Sequence, residues 1–474
     1  MAFLPNRKNV VTQIRRCDSS LPVEKMKLSQ IKELLAALSL QPSKSLGQNF
    51  LADQNLARWI VEQLDLSERD HLVEIGPGLG ALTELALPRC GSATLIEKDA
   101  RLAQFLEKEF ENEKIEVRHQ DALDFDARAL FPKMPVKLLG NLPYYVTSPI
   151  LFKFAAESSP VARMVLTIQR EFAARLAAQP RGKDYGALTL VIGRLWRVKY
   201  LRTISASVFL PKPKVDSAAI LLTPREPDEL PECDGAAFQQ LVKQGFSQRR
   251  KQLGKMLAEF VENWPSLAAK LGVAETARAE ELSLEQWIAL TNLVRPCAAN
   301  AASAQDVHAE FFDIVDENNC VIRRATRHEA HTQKLLHRAI HVFVFNKAGE
   351  LFLQKRSRWK DAHPSRWDSS AAGHVNSGDD YDSTAAREVG EELGVEAPVT
   401  FVAKIPASEM TGHEFVQLYR AEHDGPFSLC RAEIECGGFF PLDVISKWIT
   451  ARPQDFATGF LECFLRFSET ESRA

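Results

Sequence analysis

The sequence is poor in the features that mark membrane proteins and disulfide-rich proteins. No apolar stretch approaches the ~18 residues that a membrane span requires. The eight cysteines stand at positions 17, 90, 233, 297, 320, 430, 436 and 463, without a C-x-x-C pair or a spacing typical of zinc sites. This scatter favours unpaired thiols in a reducing compartment, so we expect a cytoplasmic protein that makes no membrane contact.

Length and charge indicate a globular chain of several domains. The 474 residues are too many for one ordinary hydrophobic core, so two or three domains are expected. The net charge of -3 hides an uneven distribution. Residues 150–225 hold 13 Lys and Arg against 4 Asp and Glu, whereas residues 298–474 hold 19 against 27. The basic stretch fits either a solvated face or a surface that binds a polyanion.

Hydrophobic patterns predict an α/β domain over residues 26–225. Short buried strand patterns alternate there with helical stretches, which is typical of a doubly wound, largely parallel sheet. The predicted strands are 71–75, 93–97, 115–119, 136–140 and 163–168.

The remaining segments have different compositions. Residues 1–25 are basic, have little apolar periodicity and precede a second methionine, so we expect a loose extension and a start at either Met1 or Met26. Residues 226–295 have helical periodicity and predict a small helical domain. Residues 296–306 are small and polar, as in a linker, and new strand patterns predict a further domain over 307–474.

A glycine turn and two acids predict a nucleotide-type cofactor site. The stretch VEIGPGLGALT places Gly76, Gly78 and Gly80 between a strand and a helix, where the backbone can approach a ligand closely. Glu97 and Asp121 end the next two strands, where they can bind a ribose and an adenine amino group. Each acid could instead cap the following helix. Together with the turn, the two acids favour S-adenosylmethionine.

Six motifs in this order resemble the small-subunit ribosomal RNA adenine dimethyltransferase family. They are LGQNFL, EIGPGLGALT, IEKD, QDAL, GNLPYY and FLPKPKVDSA. The resemblance covers about residues 26–295 and implies a Rossmann-like, S-adenosylmethionine-dependent methyltransferase domain at 26–225 with a helical RNA-binding domain at 226–295. The implied cofactor contacts are Asn49, Leu51, Gly76, Glu97, Asp121 and Asn141. The macrolide-resistance methylases of 23S rRNA are the alternative, but they usually carry Ile at the position of Leu142 and lack the Pro77 turn.

The GNLPYY stretch predicts catalysis by positioning an adenine amino group. The Asn141 side-chain oxygen and the Leu142 carbonyl, ahead of the rigid Pro143, can each accept an N–H bond. Tyr144 can stack on a base extracted from its RNA context. Phe209 is the candidate for a second aromatic wall, although either ring could simply pack in the core. We assign no role to Tyr145.

The expected partner is RNA. Arg249, Arg250 and Lys251, in SQRRKQL, together with the basic stretch 150–225, are candidates for holding the RNA backbone. The family resemblance implies small-subunit rRNA or a pre-30S particle, a monomeric enzyme, and two adjacent target adenosines in a hairpin loop near the 3′ end.

Residues 373–395, GHVNSGDDYDSTAAREVGEELGV, resemble the Nudix box at every fixed position but one. Spacing places Glu388, Glu391 and Glu392 on one face of a helix, where like charges would repel unless a cation such as Mg²⁺ or Mn²⁺ were bound. The departure is Asp379, where the family has Glu. An ordinary acidic helix is the alternative interpretation.

The resemblance to the Nudix hydrolases covers residues 307–474 and implies an α/β/α sandwich. Arg387 would orient the carboxylates, and Glu433 is a candidate further acid. The flanking motifs resemble the isopentenyl diphosphate isomerase subgroup, whose catalytic cysteine is replaced here by Ala372. We therefore expect hydrolysis of a nucleoside diphosphate-type substrate. A rival hypothesis for the whole chain is an RNA-binding ribosome-assembly factor whose two catalytic halves are vestigial. A rival hypothesis for the C-terminal domain is a Nudix fold kept as an interaction module.

Overall fold

The structure, a computed structural model, describes residues 28–43, 46–111, 113–143, 145–226, 229–248, 250–296 and 310–471. The predicted extension at 1–25 and positions 297–306 of the predicted linker lie outside these residues. In the described part of the chain, no helix is long and apolar enough to cross a membrane.

A largely parallel sheet forms the N-terminal domain. Its strands and those of a small ribbon are β1 (Phe50–Leu51), β2 (His71–Ile75), β3 (Ser92–Glu97), β4 (Ile115–His119), β5 (Val136–Asn141), β6 (Val161–Gln169), β7 (Trp196–Ile204), β8 (Phe209–Leu210) and β9 (Ser217–Pro224). The sheet order is β4-β3-β2-β5-β6-β9-β7, with β2 to β6 parallel and β9 antiparallel to both neighbours. The predicted doubly wound sheet is confirmed, and each predicted strand exists within two residues of its expected start.

Helices cover both faces of this sheet. They are Leu28–Ala37, Gln54–Glu62, Thr83–Ala86, Ala100–Glu109, Thr147–Phe154, Arg170–Leu176 and Ala187–Leu195. β2 is buried along its whole length, which is why its sequence is a short apolar run rather than an alternating one. The carboxyl ends of the parallel strands therefore meet at one edge, where ligands bind in open α/β sheets.

The segment after the sheet is helical, as its periodicity predicts. Its helices are Gly235–Gly245, Leu253–Met256, Trp264–Leu271 and Leu284–Val294. They pack around Trp287, which is fully buried. The Tyr185 hydroxyl donates to the Leu282 carbonyl at 2.9 Å and ties this lobe to the sheet domain.

The C-terminal domain has a seven-stranded mixed sheet between helices, and a separate antiparallel ribbon. Its strands are β10 (Phe311–Val315), β11 (Val321–Thr326), β12 (His337–Phe345), β13 (Leu351–Arg356), β14 (Trp367–Asp368), β15 (Ala371–His374), β16 (Thr400–Ile405), β17 (Glu414–Glu422) and β18 (Ile434–Phe440). The sheet is formed by β12 to β18, and the ribbon by β10 and β11. Its helices are Arg327–Thr332, Tyr381–Leu393, Leu442–Ala451 and Thr458–Glu471. One core lies between the sheet and Tyr381–Leu393, and a second lies under the two last helices, which gives the expected α/β/α sandwich.

The two domains touch through a short 3₁₀ helix, Ala127–Lys133, in the connection between β4 and β5. Phe131 from this helix belongs to the same buried cluster as the aromatic residues under the last helices of the C-terminal domain.

Candidate active sites

A cavity of about 120 Å³ lies at the carboxyl edge of the N-terminal sheet. Its lining includes every residue that the sequence predicts for cofactor binding: Asn49, Leu51, Gly76, Glu97, Asp121 and Asn141. These residues come from five separate motifs, and the ends of β1, β2, β3, β4 and β5 bring them together.

The glycine turn after β2 forms one wall of the cavity. Gly76 and Gly78 have φ of 66° and 60°, a left-handed conformation that other residues adopt at a cost. A side chain at Gly78 would also approach the Phe50 ring at 3.1 Å. The turn thus needs glycine both for its backbone and for the packing of the LGQNFL motif against it.

Glu97 is held in place by the backbone around it. One carboxylate oxygen accepts the Gly78 N–H at 3.1 Å and the other accepts the Asp99 N–H at 2.9 Å. The side chain is buried, and burial raises its pKa. The alternative role for Glu97 was to cap the following helix. In the structure Asp99 caps that helix, because its carboxylate accepts the Arg101 and Leu102 N–H groups.

Asp121 lines the cavity from the segment that follows β4. Its carboxylate accepts the Leu123 N–H at 2.9 Å and an ammonium hydrogen of Lys98 at 2.6 Å. These two partners, the backbone N–H first, hold the pKa of Asp121 below its usual range. The group is therefore an anionic acceptor at neutral pH, as binding of an adenine amino group requires.

The Asn141 amide is oriented by the LGQNFL motif. Its nitrogen donates to the Asn49 carbonyl at 3.0 Å, which leaves the side-chain oxygen as the acceptor for an incoming N–H. Gly47 packs against Pro143, two residues after Asn141, because a Cβ on Gly47 would lie 2.7 Å from the Pro143 ring. Pro143 itself lines the cavity.

Two of the other predicted catalytic residues, Leu142 and Phe209, do not line the cavity. Leu142 has a buried side chain, and its N–H donates to the Thr167 carbonyl at 3.0 Å. Phe209 pairs with Leu51 across the β1–β8 ribbon and is 4% exposed in the core, outside the cavity lining of the described residues. Its role as an aromatic wall stays a prediction. Tyr144 lies outside the described residues. Tyr145, to which the sequence assigned no role, is 58% exposed and lines the cavity.

Two of the three predicted RNA-binding residues are exposed in the helical lobe. Arg250 and Lys251 lie between the helices Gly235–Gly245 and Leu253–Met256, with both side chains facing solvent. Arg249 lies outside the described residues.

A second, larger cleft of about 550 Å³ lies in the C-terminal domain and is lined by Glu388, Glu391 and Glu433. Glu392 is buried behind it and accepts N–H bonds from Gln354 at 3.0 Å and Ala372 at 3.1 Å. The helix Tyr381–Leu393 supplies the three predicted acids, as the spacing indicates.

The acids of this cleft crowd one another. Burial raises the pKa of Glu388 to about 7, and burial followed by the neighbouring Glu433 and Glu388 raises that of Glu392. Burial would also raise the pKa of Glu433, but its ion pair with Lys360 holds it below the usual value. Such a set of carboxylates fits a hard divalent cation, which would relieve the repulsion.

Two neighbours position the acids. Arg387 contacts Glu388 at 3.0 Å and Glu391 at 2.8 Å, the orienting contacts that the sequence predicts. Gly373 has no side chain where the Glu388 carboxylate lies, since a Cβ would sit 2.3 Å from it. The first glycine of this motif thus leaves the space that the Glu388 carboxylate occupies.

A histidine cluster on the same cleft was missed by the sequence analysis. Ligand atoms of His331, His337, His374 and Glu414 all lie within 4.8 Å of one another. His337 bonds the Leu335 carbonyl through Nδ1, which leaves the buried Nε2 facing Glu414 at 3.5 Å. Three imidazoles and a carboxylate could hold a transition metal such as Zn²⁺ or Mn²⁺.

Two protein families match this chain, one in each half. A Rossmann-like sheet with a glycine turn, two acids and an Asn-Leu-Pro corner at one edge defines an S-adenosylmethionine-type methyltransferase. The chain belongs to the ribosomal RNA adenine dimethylase family, whose model matches residues 40–295. A NUDIX domain matches residues 335–458, so the chain joins an adenine dimethylase to a Nudix hydrolase domain.

Two relatives are named ribosomal RNA small subunit methyltransferase A. The protein from Maridesulfovibrio salexigens is 44% identical over 257 residues, 53% of this chain and 95% of the relative. The protein from Bacillus licheniformis is 38% identical over 277 residues, 56% of this chain and 95% of the relative. A crystal structure of a dimethyladenosine transferase from Plasmodium falciparum is 23% identical, with a TM-score of 0.44, and covers 51% of this chain and 95% of that one.

Proposed function

We propose that the N-terminal half dimethylates the exocyclic amines of two adjacent adenosines in a hairpin loop near the 3′ end of small-subunit rRNA. The observation that carries this proposal is the convergence of all six predicted cofactor residues, Asn141 among them, on one cavity. The names of the two relatives support the small-subunit target.

The cofactor S-adenosylmethionine supplies the methyl group in this family. Glu97 would accept the ribose hydroxyls and Asp121 the adenine amino group. The Asn141 oxygen and the Leu142 carbonyl would accept the N–H groups of the target amine, and so would turn its lone pair out of the ring plane toward the cavity. Positioning and hydrogen bonding would supply the catalysis without a covalent enzyme intermediate.

The substitution Asn141→Ala tests this proposal. It removes the side-chain acceptor, so we expect methyl incorporation into small subunits that lack the modification to fall at least about 100-fold. S-adenosylmethionine affinity, measured by calorimetry, should weaken only severalfold, because the other five contacts remain. Asn55→Ala, at an exposed helix position, is the control. Normal methylation by Asn141→Ala would refute the role of Asn141, and an inactive wild type would favour the vestigial assembly factor.

We also propose that the C-terminal half hydrolyses a nucleoside diphosphate-type substrate with Mg²⁺ or Mn²⁺ held by Glu388, Glu391 and Glu392. A bound metal would polarise the diphosphate and activate water. Arg387 would hold the carboxylates apart, and Glu433 would contribute from the other side of the cleft. The crowding of the buried Glu388 and Glu392 with Glu433 supports this proposal.

The hydrolase proposal is tested on the full chain with Mg²⁺ and a panel of nucleoside diphosphate derivatives. We expect product release by the wild type and a loss of at least about 100-fold for Glu391→Gln and Glu392→Gln. Glu396→Gln, an exposed acid just beyond the helix, should keep full activity. Inertness of the wild type across the panel would favour a Nudix fold kept for interaction.

A further inference from the structure

Phe131 of the methyltransferase domain is enclosed by the C-terminal domain. Its ring centroid lies 4.4 Å from Trp448, 5.1 Å from Phe440 and 5.7 Å from Trp367, the last two in edge-on contact. Only 4% of Phe131 is exposed. Aromatic rings packed edge to face in a dry pocket are typical anchors of protein interfaces. We refer to residues 127–133, which carry this ring, as the docking helix.

Directed polar contacts surround this anchor. The Arg128 guanidinium donates to the Phe439 carbonyl at 2.7 Å and pairs with Glu350 at 2.8 Å. From the other side, Arg452 donates to the Met134 carbonyl at 3.0 Å. Charged donors on backbone carbonyls fix both position and orientation, since neither partner can slide without losing its bond.

Two ion pairs extend the contact beyond the docking helix. Arg431 lies 3.6 Å from Glu157 of the sheet domain, and Arg358 lies 3.5 Å from Glu232, just before the helical lobe. The C-terminal domain therefore holds the methyltransferase at several places with one central aromatic anchor.

In the sequence, the docking helix lies between two segments that contribute residues to the cofactor cavity. It follows Asp121 in the connection from β4, and it precedes β5, which ends at Asn141. Asp126 links the two halves of this connection, because its carboxylate caps the docking helix and also binds the Arg128 guanidinium. The same guanidinium binds Glu350, so the Arg128 side chain joins the connection that follows Asp121 to the C-terminal domain.

We propose that the C-terminal domain is a built-in positioning partner of the methyltransferase: docked on Phe131 and Arg128, it holds the connection that carries Asp121 in its cofactor-binding conformation. A connection fixed at its far end has fewer conformations to lose when a ligand binds, so docking raises cofactor affinity. This inference concerns the interface and is independent of whether the Nudix cleft hydrolyses anything.

The experiment compares full-length variants by S-adenosylmethionine calorimetry and by hydrogen exchange of residues 121–135. Phe131→Ala should weaken cofactor affinity on the order of 3- to 10-fold and raise exchange in this connection. Phe440→Ala, which changes no methyltransferase residue, should shift both readouts in the same direction. The double variant should be no weaker than Phe131→Ala alone, because Phe131→Ala already removes the contact with Phe440. If Phe440→Ala unfolds the C-terminal domain, the affinity should fall to the Phe131→Ala value.

The control is Leu465→Ala, at a leucine that is 59% exposed on the last helix, and it should bind like the wild type. An affinity within twofold of wild type in both interface variants, with exchange in residues 127–133 clearly raised, would overturn the proposal and leave the interface as a passive contact. This inference rests on the cofactor site of the proposed function. A wild type that binds no S-adenosylmethionine would refute that function, whereas equal binding by the wild type and both interface variants would refute only this proposal.

Discussion

Glu74, which lies in β2 just before the glycine turn, is a buried acid that lines the cofactor cavity. Burial raises its pKa to about 7, although the Thr83 hydroxyl donates to its carboxylate at 2.6 Å. The unfolded chain releases this proton near pH 4.5 and the folded chain near pH 7. The folded state therefore binds the proton more tightly, and the stability that this contributes is present below pH 4.5 and is lost as pH rises to 7.

The substitution Glu74→Gln should remove this pH dependence. At about 1.4 kcal/mol per pKa unit, the difference between pKa 4.5 and about 7 corresponds to roughly 3.5 kcal/mol at most. The variant should be closest to wild type in thermal unfolding at pH 4.5, should gain on it up to about pH 7, and should keep a constant advantage from there to pH 8. Glu107→Gln, at an exposed helix position, controls for loss of charge. An equal difference between Glu74→Gln and wild type at pH 4.5 and pH 8 would contradict the assignment.

Single residues were predictable where a motif surrounds them. Gly76, Glu97 and Asn141 stand at fixed points of strand-turn-helix units, so local sequence located them at the cavity. His337 and Glu414 gave no such signal, because their partners come from separate strands and helices and only the folded C-terminal sheet brings them together. For Phe209 the motif did not indicate the strand pairing with Leu51 that buries the ring, and its role as an aromatic wall stays a prediction.

At the scale of elements, the loop before Leu253–Met256 carries a prediction about RNA. Arg250 and Lys251 are exposed there, and each phosphate they neutralise releases counterions. Replacing both by Gln should weaken RNA binding and reduce the slope of log K against log salt by up to about 2. Lys270→Gln, in the same lobe, is the matched control. An unchanged slope would assign this loop to the solvated surface.

Elements with a strong pattern were predictable, and those defined by pairing were not. The buried runs of β2, β3 and β5 need two covering layers, so their sequences alone indicate a parallel sheet. The antiparallel β9 and β7 at its edge depend on which strand returns beside β6, and hydrophobic periodicity does not report that choice. The docking helix is short and contains Pro132, so it shows no helical period either.

At the scale of the whole molecule, the sequence analysis separated two enzymes but not their contact. From the sequence alone, Phe131 is an ordinary apolar residue within FPKMP. Its partners Trp367 and Trp448 would equally be expected in the core of the other domain. An interface between distant segments leaves no periodic signature, because its residues are spread over several elements whose spacing only the folded chain sets.

The enclosed Phe131 has a consequence for synthesis of the chain. A ribosome releases the methyltransferase segment first, and at 5 to 20 residues per second the rest of the chain needs roughly 10 to 35 s. Through that interval the methyltransferase half can complete its own core while Phe131 and the apolar face around it stay in water. The nascent protein thus exposes an apolar surface for a limited time. A chaperone can cover this surface until the C-terminal domain has been synthesised and packs against it.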